Sequence, residues 1–438
     1  MVRLMDVELE IGTCLRTRFR KELRVVDRLG EGAQGIVYSV IYNGRPMALK
    51  WYRPGSFYDR QGFIDNLYSN IISGSPTDSF LWPLDLVEVA GGGFGYVMEL
   101  CPEGYVLAKE LFLHPDLFPS FRRAIDACLG VVSAFRVLHY KGYCYQDVSG
   151  GNFFVDPVRG KVLICDNDNV VPVDTETGIR GTPRFMAPEI VVENSVPSVQ
   201  SDRHSLAVLI FMLLCAQHPL EGVRFTRADE LDPATQRRIY GTDPVFVMDP
   251  TNVTNRPDPA YPNVLKVWPY LPDHMKSIFV RAFSREALTN PSRRPKEYDW
   301  IRELTRFRSE VVNCVCGNEV FMENAKTVPC DNPTCGRQVR VALRARLADY
   351  ALPFTHDMRL YRVQTCVCNP DAALDLLAWV TRANERADVL GITNMGHEPW
   401  GVSQGGSTHA VMPQQTIVAI PDMELLIKDV RVHIGRNA

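Results

Sequence analysis

The stretch Leu29-Gly30-Glu31-Gly32-Ala33-Gln34-Gly35-Ile36-Val37 constrains this chain more than any other. Glycine-rich turns arise in many loops for backbone reasons alone, so the stretch says little until its surroundings are read. Next come Tyr42-Asn43-Gly44-Arg45, a strong signal for a two-residue hairpin, and Ala48-Leu49-Lys50. The glycines are therefore expected in an antiparallel ribbon, with Lys50 on its next strand. A doubly wound dinucleotide site would need a helix in that place.

With 438 residues, of which 46% are hydrophobic and 23% charged, the chain is expected to form two or three globular domains. A formal charge of −3 gives no global footprint for nucleic acid or a membrane surface. Acids within Met1 to Glu8 argue against an export signal, and the run Leu206 to Ala216 is too short to span a bilayer and reads as a buried helix. Cys14, Cys101, Cys128, Cys144, Cys165 and Cys215 lie singly in apolar surroundings, whereas the other six of the twelve cysteines cluster toward the C-terminus. That segregation suits a reducing, cytoplasmic setting with a metal site better than a disulfide framework.

Tyr145-Gln146-Asp147 follows, with Asn152 five residues on and Asp166 beyond. In order and spacing, the glycine stretch, Lys50 and this segment resemble the nucleotide site of eukaryotic-type Ser/Thr protein kinases, and the resemblance runs from about Glu22 to Phe307. Its most specific string is Gly181-Thr182-Pro183-Arg184-Phe185-Met186-Ala187-Pro188-Glu189, similar to the end of an activation segment. Asp202-Arg203-His204-Ser205-Leu206-Ala207 is similar to the start of the helix that anchors the catalytic loop, and Arg293-Arg294-Pro295 supplies Arg294 as the expected partner of Glu189. The resemblance implies an α+β, bilobal kinase fold that binds ATP and Mg2+ and acts on protein substrates. It implies that Gly30, Gly32 and Gly35 admit the phosphates, and that Val37, Ala48, Met98, the backbone of Glu99 and Cys101, and Phe154 surround the adenine. Lys50 would neutralise the α- and β-phosphates, Asp147 accept the proton of the attacking hydroxyl, and Asn152 and Asp166 hold magnesium.

Several positions depart from that pattern. Gln146 stands where an arginine usually receives an activation-loop phosphate, so switching by phosphorylation at Thr175 or Thr177 loses its usual receiver. Ser149 replaces a lysine near the γ-phosphate, removing one charge. Asp166-Asn167-Asp168 replaces Asp-Phe-Gly, keeping the metal ligand while losing the aromatic plug and the flexible glycine. Trp51 to Val87 contains no Glu, so the usual acidic partner of the lysine is missing, and Asp65 is the nearest candidate. These departures keep a second reading open, a nucleotide-binding pseudokinase scaffold in a signalling complex.

Beyond Phe307, Cys314-Val315-Cys316-Gly317 and Cys330-Asp331-Asn332-Pro333-Thr334-Cys335-Gly336 resemble the two knuckles of a zinc ribbon, with four thiolates for one structural Zn2+. Cys366 and Cys368 form another pair with no further knuckle nearby. Arg337, Arg340, Arg344 and Arg346 lack interleaved aromatics and read as a solvated face more than as a nucleic-acid surface, which leaves a nucleic-acid-tethered regulator as a third, weaker reading. Pro370 to Arg386 has helical spacing through Leu374, Leu377, Ala378 and Thr381. The runs Val389 to Ile392, Thr416 to Ile420 and Val430 to Ile434 suggest a small β-sandwich-like domain. Gly391-Ile392-Thr393-Asn394 and Pro399-Trp400 are similar to strings of forkhead-associated domains, yet no phosphate-binding Arg/Ser pair accompanies them, so that reading stops at an interaction module. The expected units are 1–101, an N-lobe with an extension; 102–308, a C-lobe; 309–346, the ribbon; and 347–438, a helix with the β-rich domain. A chain ending near Ser309 is expected to keep its chemistry. The glycine-loop spelling, Asp-Asn-Asp and the ribbon together are similar to bacterial kinases of tellurium-resistance-associated triads, which implies a PPM-type phosphatase and a von Willebrand A protein as partners.

Overall fold

The computed structural model describes residues 8–32, 35–53, 59–89, 93–173, 175, 180–228, 230–365, 372–383, 386–427 and 430–437. Thr177, Cys366 and Cys368 lie outside them. Among the described residues no helix is long and apolar enough to cross a membrane.

The N-terminal part is one antiparallel sheet of β1 (Cys14–Arg16), β2 (Glu22–Glu31), β3 (Gly35–Tyr42), β4 (Arg45–Tyr52), β5 (Asp85–Glu88) and β6 (Phe94–Met98), in the order β1-β2-β3-β4-β6-β5. The expected hairpin joins β3 to β4: Tyr42 faces Arg45, and Asn43 and Gly44 both take positive φ, 48° and 81°, as a two-residue turn of this hand requires. Gly35 has a packing reason of its own, since a Cβ there would stand 2.1 Å from the carbonyl oxygen of Trp51. Gly30 and Gly32 have none within 4 Å, and their bare backbone faces open space. The helix α1 (Arg60–Ser73) is started by Asp59, which accepts from the Gly62 amide at 2.9 Å, and it buries Ile64 and Leu67 against the sheet.

A larger, mostly helical body follows. Its centre is the helix Val199–Cys215, capped by Ser198 and Ser201 and apolar on nearly all sides, so it can exist only inside a core. The run Leu206 to Ala216 thus forms the buried helix expected of it, with Ala216 as its cap. Three helices meet at one polar junction. His139, on Phe121–Tyr140, lies 3.0 Å from Asp202 and 2.9 Å from Glu297, and Arg203 clasps Glu297 at 2.7 and 3.0 Å.

The helix Glu297–Glu310 runs straight into the strand Val311–Asn313. Thr305, Arg308, Ser309 and Glu310 at its end are buried. Arg308 bonds Asp126 at 2.5 Å in the helical body and Asp357 at 3.1 Å in the C-terminal region, while Ser309 donates to the Arg359 carbonyl at 3.0 Å. The largest core includes Val311, Tyr361, Val363 and Ala373 as well. A cut near Ser309 would bare this charged, buried helix end and remove its partners at Asp357 and Arg359.

After this helix come two small hairpins, Val311–Asn313 with Glu319–Phe321 and Thr327–Pro329 with Gln338–Arg340. Two sheets follow among the described residues. One has six strands in the order Ala351–Pro353, Leu343–Arg346, Val430–Arg436, Met423–Ile427, Trp400–Gln404, Ser407–Val411; the other runs Arg359–Tyr361, Leu376–Ala383, Arg386–Asn394, Thr416–Val418. They share a core in which Leu352, Val402, Leu425 and Ile434 of one meet Leu360, Val380 and Ile392 of the other. Two expectations are corrected here. Leu376–Ala383 is a strand, not part of a helix over 370–386: Trp379, Val380 and Thr381 suit a pleated surface, and partners on both sides override a spacing that also fits a helix. Arg344 is no solvated arginine. It is 5% exposed and donates to the carbonyls of Glu323, Ala325 and Ala351, whereas Arg337, Arg340 and Arg346 are exposed.

Two measurements test these junctions. Arg308→Ala removes the buried cation shared by Asp126 and Asp357, which keep Arg123 at 2.9 Å and Arg359 at 3.4 Å, so it should cost about 1.5–3 kcal/mol in urea unfolding, as lost hydrogen bonds to charged groups do; a loss below about 1 kcal/mol, the value of an exposed pair, would contradict the account. At His139, burial alone would lower the imidazole's pKa, but the bonds to Asp202 and Glu297 outweigh it and raise it above the ordinary 6.5. The stability it contributes is complete below pH 6.5 and is lost as pH rises through the folded-state value. His139→Gln should therefore flatten the fall of stability with rising pH, and identical pH slopes in variant and wild type would count against the pairing.

Candidate active site

Strand pairing builds the site wall. Lys50 on β4 stands opposite Val37 on β3 and Tyr96 on β6, and Ala48 stands opposite Met98. Ala48 and Met98 share one apolar cluster with the half-buried Val37, Cys101 and Phe154, so five of the expected adenine neighbours come together. The side chain of Glu99 is exposed, leaving its backbone as the part that could contribute.

The second wall comes from the helical body. Tyr145 and Gln146 donate their amides to Asp202 at 2.7 and 3.1 Å, so the helix Val199–Cys215 holds the loop that carries Asp147. Gln146 takes φ 69°, an uncommon conformation for a side chain of its size, and its amide reaches the Thr175 carbonyl at 3.4 Å. A neutral contact to the backbone stands where an arginine was missing. Asp147 accepts from the Thr182 hydroxyl at 2.8 Å, and Asn152 donates to the Asp147 carbonyl at 2.8 Å and to its carboxylate at 3.3 Å. The Cys165 amide in turn donates to the Asn152 carbonyl at 3.0 Å, which joins this loop to the segment bearing Asp166. Downstream, Arg294 grips Glu189 through two bonds of 2.7 Å.

Lys50 links the walls. It is 5% exposed, and its ammonium lies 3.2 Å from Asp166 and 3.0 and 3.1 Å from the two oxygens of Asp168. Asp168 also accepts from the hydroxyls of Tyr52 at 2.7 Å and Tyr96 at 3.0 Å. Burial pulls the Lys50 pKa down, but Asp168 and then Asp166 reverse the shift and leave it raised, so the ammonium stays charged. Burial pushes the Asp166 carboxyl up; Lys50 opposes that shift and Asp168 adds to it. Asn167 donates to the carbonyls of Leu81 and Ile164 at 2.8 and 2.9 Å, holding the segment where an aromatic plug was expected to be missed. Asp65 does not meet Lys50: it is exposed and accepts from Gln61 at 2.9 Å, which corrects its nomination as the lysine's partner. Asp168, Tyr52, Tyr96 and Thr182 were missed in the sequence. Thr182 carried a signal as part of the Gly181 to Glu189 string and Asp168 as part of the Asp-Asn-Asp triplet, whereas Tyr52 and Tyr96 carried none.

A separate group lies in the small hairpins. The sulfurs of Cys314, Cys316, Cys330 and Cys335 all fall within 4.8 Å of one another, with Cys314 to Cys335 and Cys316 to Cys330 each 3.7 Å apart. A tetrahedral ion with about 2.3 Å bonds to sulfur would space its ligands at about 3.8 Å. The four residues fit such an ion.

Comparison with known proteins agrees with the kinase part of this geometry. Residues 88–259 match the family model described as the protein kinase domain, a stretch that includes Asp147, Asn152 and Asp166 but not the glycines or Lys50. The chain is similar to the eye isozyme of protein kinase C of Drosophila melanogaster, 32% identical over 133 residues, 29% of this chain and 18% of that protein. It is similar to a probable cAMP-dependent protein kinase catalytic subunit of Encephalitozoon cuniculi, 28% identical over 209 residues, 45% of this chain and 62% of that one. A probable serine/threonine-protein kinase of Dictyostelium discoideum is 26% identical over 240 residues, 52% of this chain and 14% of its own length. The matched stretches cover less than two thirds of each of these relatives. Residues 88–259 are thus similar to a protein kinase domain, and these relatives are named as serine/threonine kinases or as kinases dependent on cyclic nucleotide or of the C type.

Proposed function

We propose that this chain transfers the γ-phosphate of ATP to serine or threonine hydroxyls of proteins. The observation that carries the reading is the continuous set of contacts from Lys50 through Asp166, Cys165 and Asn152 to Asp147. Phosphoryl transfer needs positioned charges more than covalent chemistry, and this set provides a cation, oxygen ligands and a base in sequence. Asp166, whose side chain is 34% exposed, and Asn152 are the residues suited to hold magnesium, which would neutralise the phosphate oxygens. Asp147 keeps one oxygen on Thr182 and the other near Asn152, which fixes the carboxylate that would take the hydroxyl proton. Gly30 and Gly32 leave space over the phosphates. The phosphatase and von Willebrand A partners rest on resemblance alone, and no surface is assigned to them.

The four cysteines are proposed to hold one structural zinc. A closed thiolate shell leaves no open position for catalysis, and the segment has a small core of Val312, Val320, Met322 and Val339 beside the sulfurs, too little to fold unaided.

Asp147→Asn keeps the shape of the site and cannot take the proton, so transfer from radiolabelled ATP to a generic basic substrate, and to the protein itself, should fall about 10²-fold or more. Equal transfer by variant and wild type would remove Asp147 as the base, and no transfer by either would favour a nucleotide-binding pseudokinase. For the metal, protein purified without chelator should contain one zinc per chain by elemental analysis and lose it in Cys330→Ser; a substoichiometric content in wild type would remove the zinc proposal.

A further inference from the structure

The sequence lacks the expected acid on α1, and yet Lys50 is fully engaged. The geometry points to Asp168 as the residue that positions Lys50, a role taken within the metal-binding segment itself, with no charge supplied by α1; this rests on the kinase reading above. A carboxylate has about four lone-pair sites. Each of the two oxygens of Asp168 accepts once from Lys50, and the remaining sites take Tyr52 on one and Tyr96 on the other. No site is left for a metal, and at 1% exposure no water reaches it. Asp166, two residues earlier, has the opposite character: partly exposed, with a single 3.2 Å contact to the lysine. The two carboxylates thus divide the work. Asp168 holds the cation, which frees Asp166 for the metal.

The contribution of α1 is of a different kind. Phe63 sets its edge against the Tyr52 ring at 5.3 Å, and Asn66 and Asn70 donate to the Val170 carbonyl at 3.1 and 2.8 Å. The helix clamps the backbone just beyond Asp168 and brings no charge to Lys50. Both members of the ion pair belong to β4 and to the Asp166–Asp168 segment, so α1 reaches it only through Tyr52 and the backbone at Val170.

Asp168→Asn is the test, with Asp65→Asn beside it. Without the Asp168 charge, Lys50 is left to draw on Asp166, so kcat should fall about 10²-fold, as a misplaced charge at a reacting phosphate does. The magnesium concentration for half-maximal rate should rise as well, a readout that general loosening of the fold would not move. Asp65→Asn should stay within about two-fold of wild type, as exposed substitutions do. Wild-type kcat and magnesium dependence in a folded Asp168→Asn, or an equal loss in Asp65→Asn, would overturn the proposal. If Asp168→Asn does not fold, Tyr96→Phe removes one donor and keeps both charges; it should lower kcat, and an unchanged kcat would overturn the proposal equally. Should wild type transfer no phosphate at all, the kinase reading fails by itself. The positioning is then read from acetic anhydride labelling of Lys50, slow in wild type and fast in Asp168→Asn or Tyr96→Phe; equal labelling would overturn it.

Discussion

One buried ion pair, Lys50 with Asp168, joins the N-terminal sheet to the helical body. A charge taken out of water costs several kcal/mol, and a buried pair is tolerable only when its remaining lone pairs and protons are satisfied. Here the satisfaction is supplied by Tyr52 and Tyr96, both from the sheet, while Asp168 comes from the helical body. The sheet and the body are consequently set in one relation, the one that brings Lys50 to Asp166 and Asp166 to the loop of Asp147. Loss of Lys50 would strand Asp168 and loss of Asp168 would throw Lys50 onto Asp166, and that is why the geometry of the site and the joining of the two parts are one problem.

The same device recurs at the other junctions. His139 takes both Asp202 and Glu297, so three helices are tied at a point that also holds the amides of Tyr145 and Gln146. Arg308 takes Asp126 on one side and Asp357 on the other, and Arg344 gathers carbonyls from two segments. In each case a long cationic side chain bridges units that apolar contacts alone would not orient. The C-terminal sheets are therefore seated on the body through fixed polar contacts.

How much of this could be read beforehand follows from the range of each interaction. Asn43-Gly44 announced its turn because φ above zero is a local demand, and the grouping of Cys314, Cys316, Cys330 and Cys335 was legible because each pair lies at a short spacing. Glu189 and Arg294 were paired in advance only because each sat in a recognisable string. The partner of Lys50 was not legible: Asp168 lies 118 residues away, in a triplet whose familiar form has glycine at that place, and nothing local distinguishes a buried carboxylate from an exposed one. Leu376–Ala383 was misread because a short apolar run fits two periods, and its partners on both sides decide between them. Arg344 looked like its exposed neighbours Arg340 and Arg346, and only its carbonyl partners set it apart.

The most direct test is a crystal structure with magnesium and a non-hydrolysable ATP analogue. The account predicts Asp168 still buried against Lys50, Tyr52 and Tyr96, Asp166 and Asn152 on the metal, and Lys50 at the α- and β-phosphates with no acid of α1 beside it. A structure in which Asp168 has turned onto the metal, or in which Lys50 has left it for Asp65, would contradict the account.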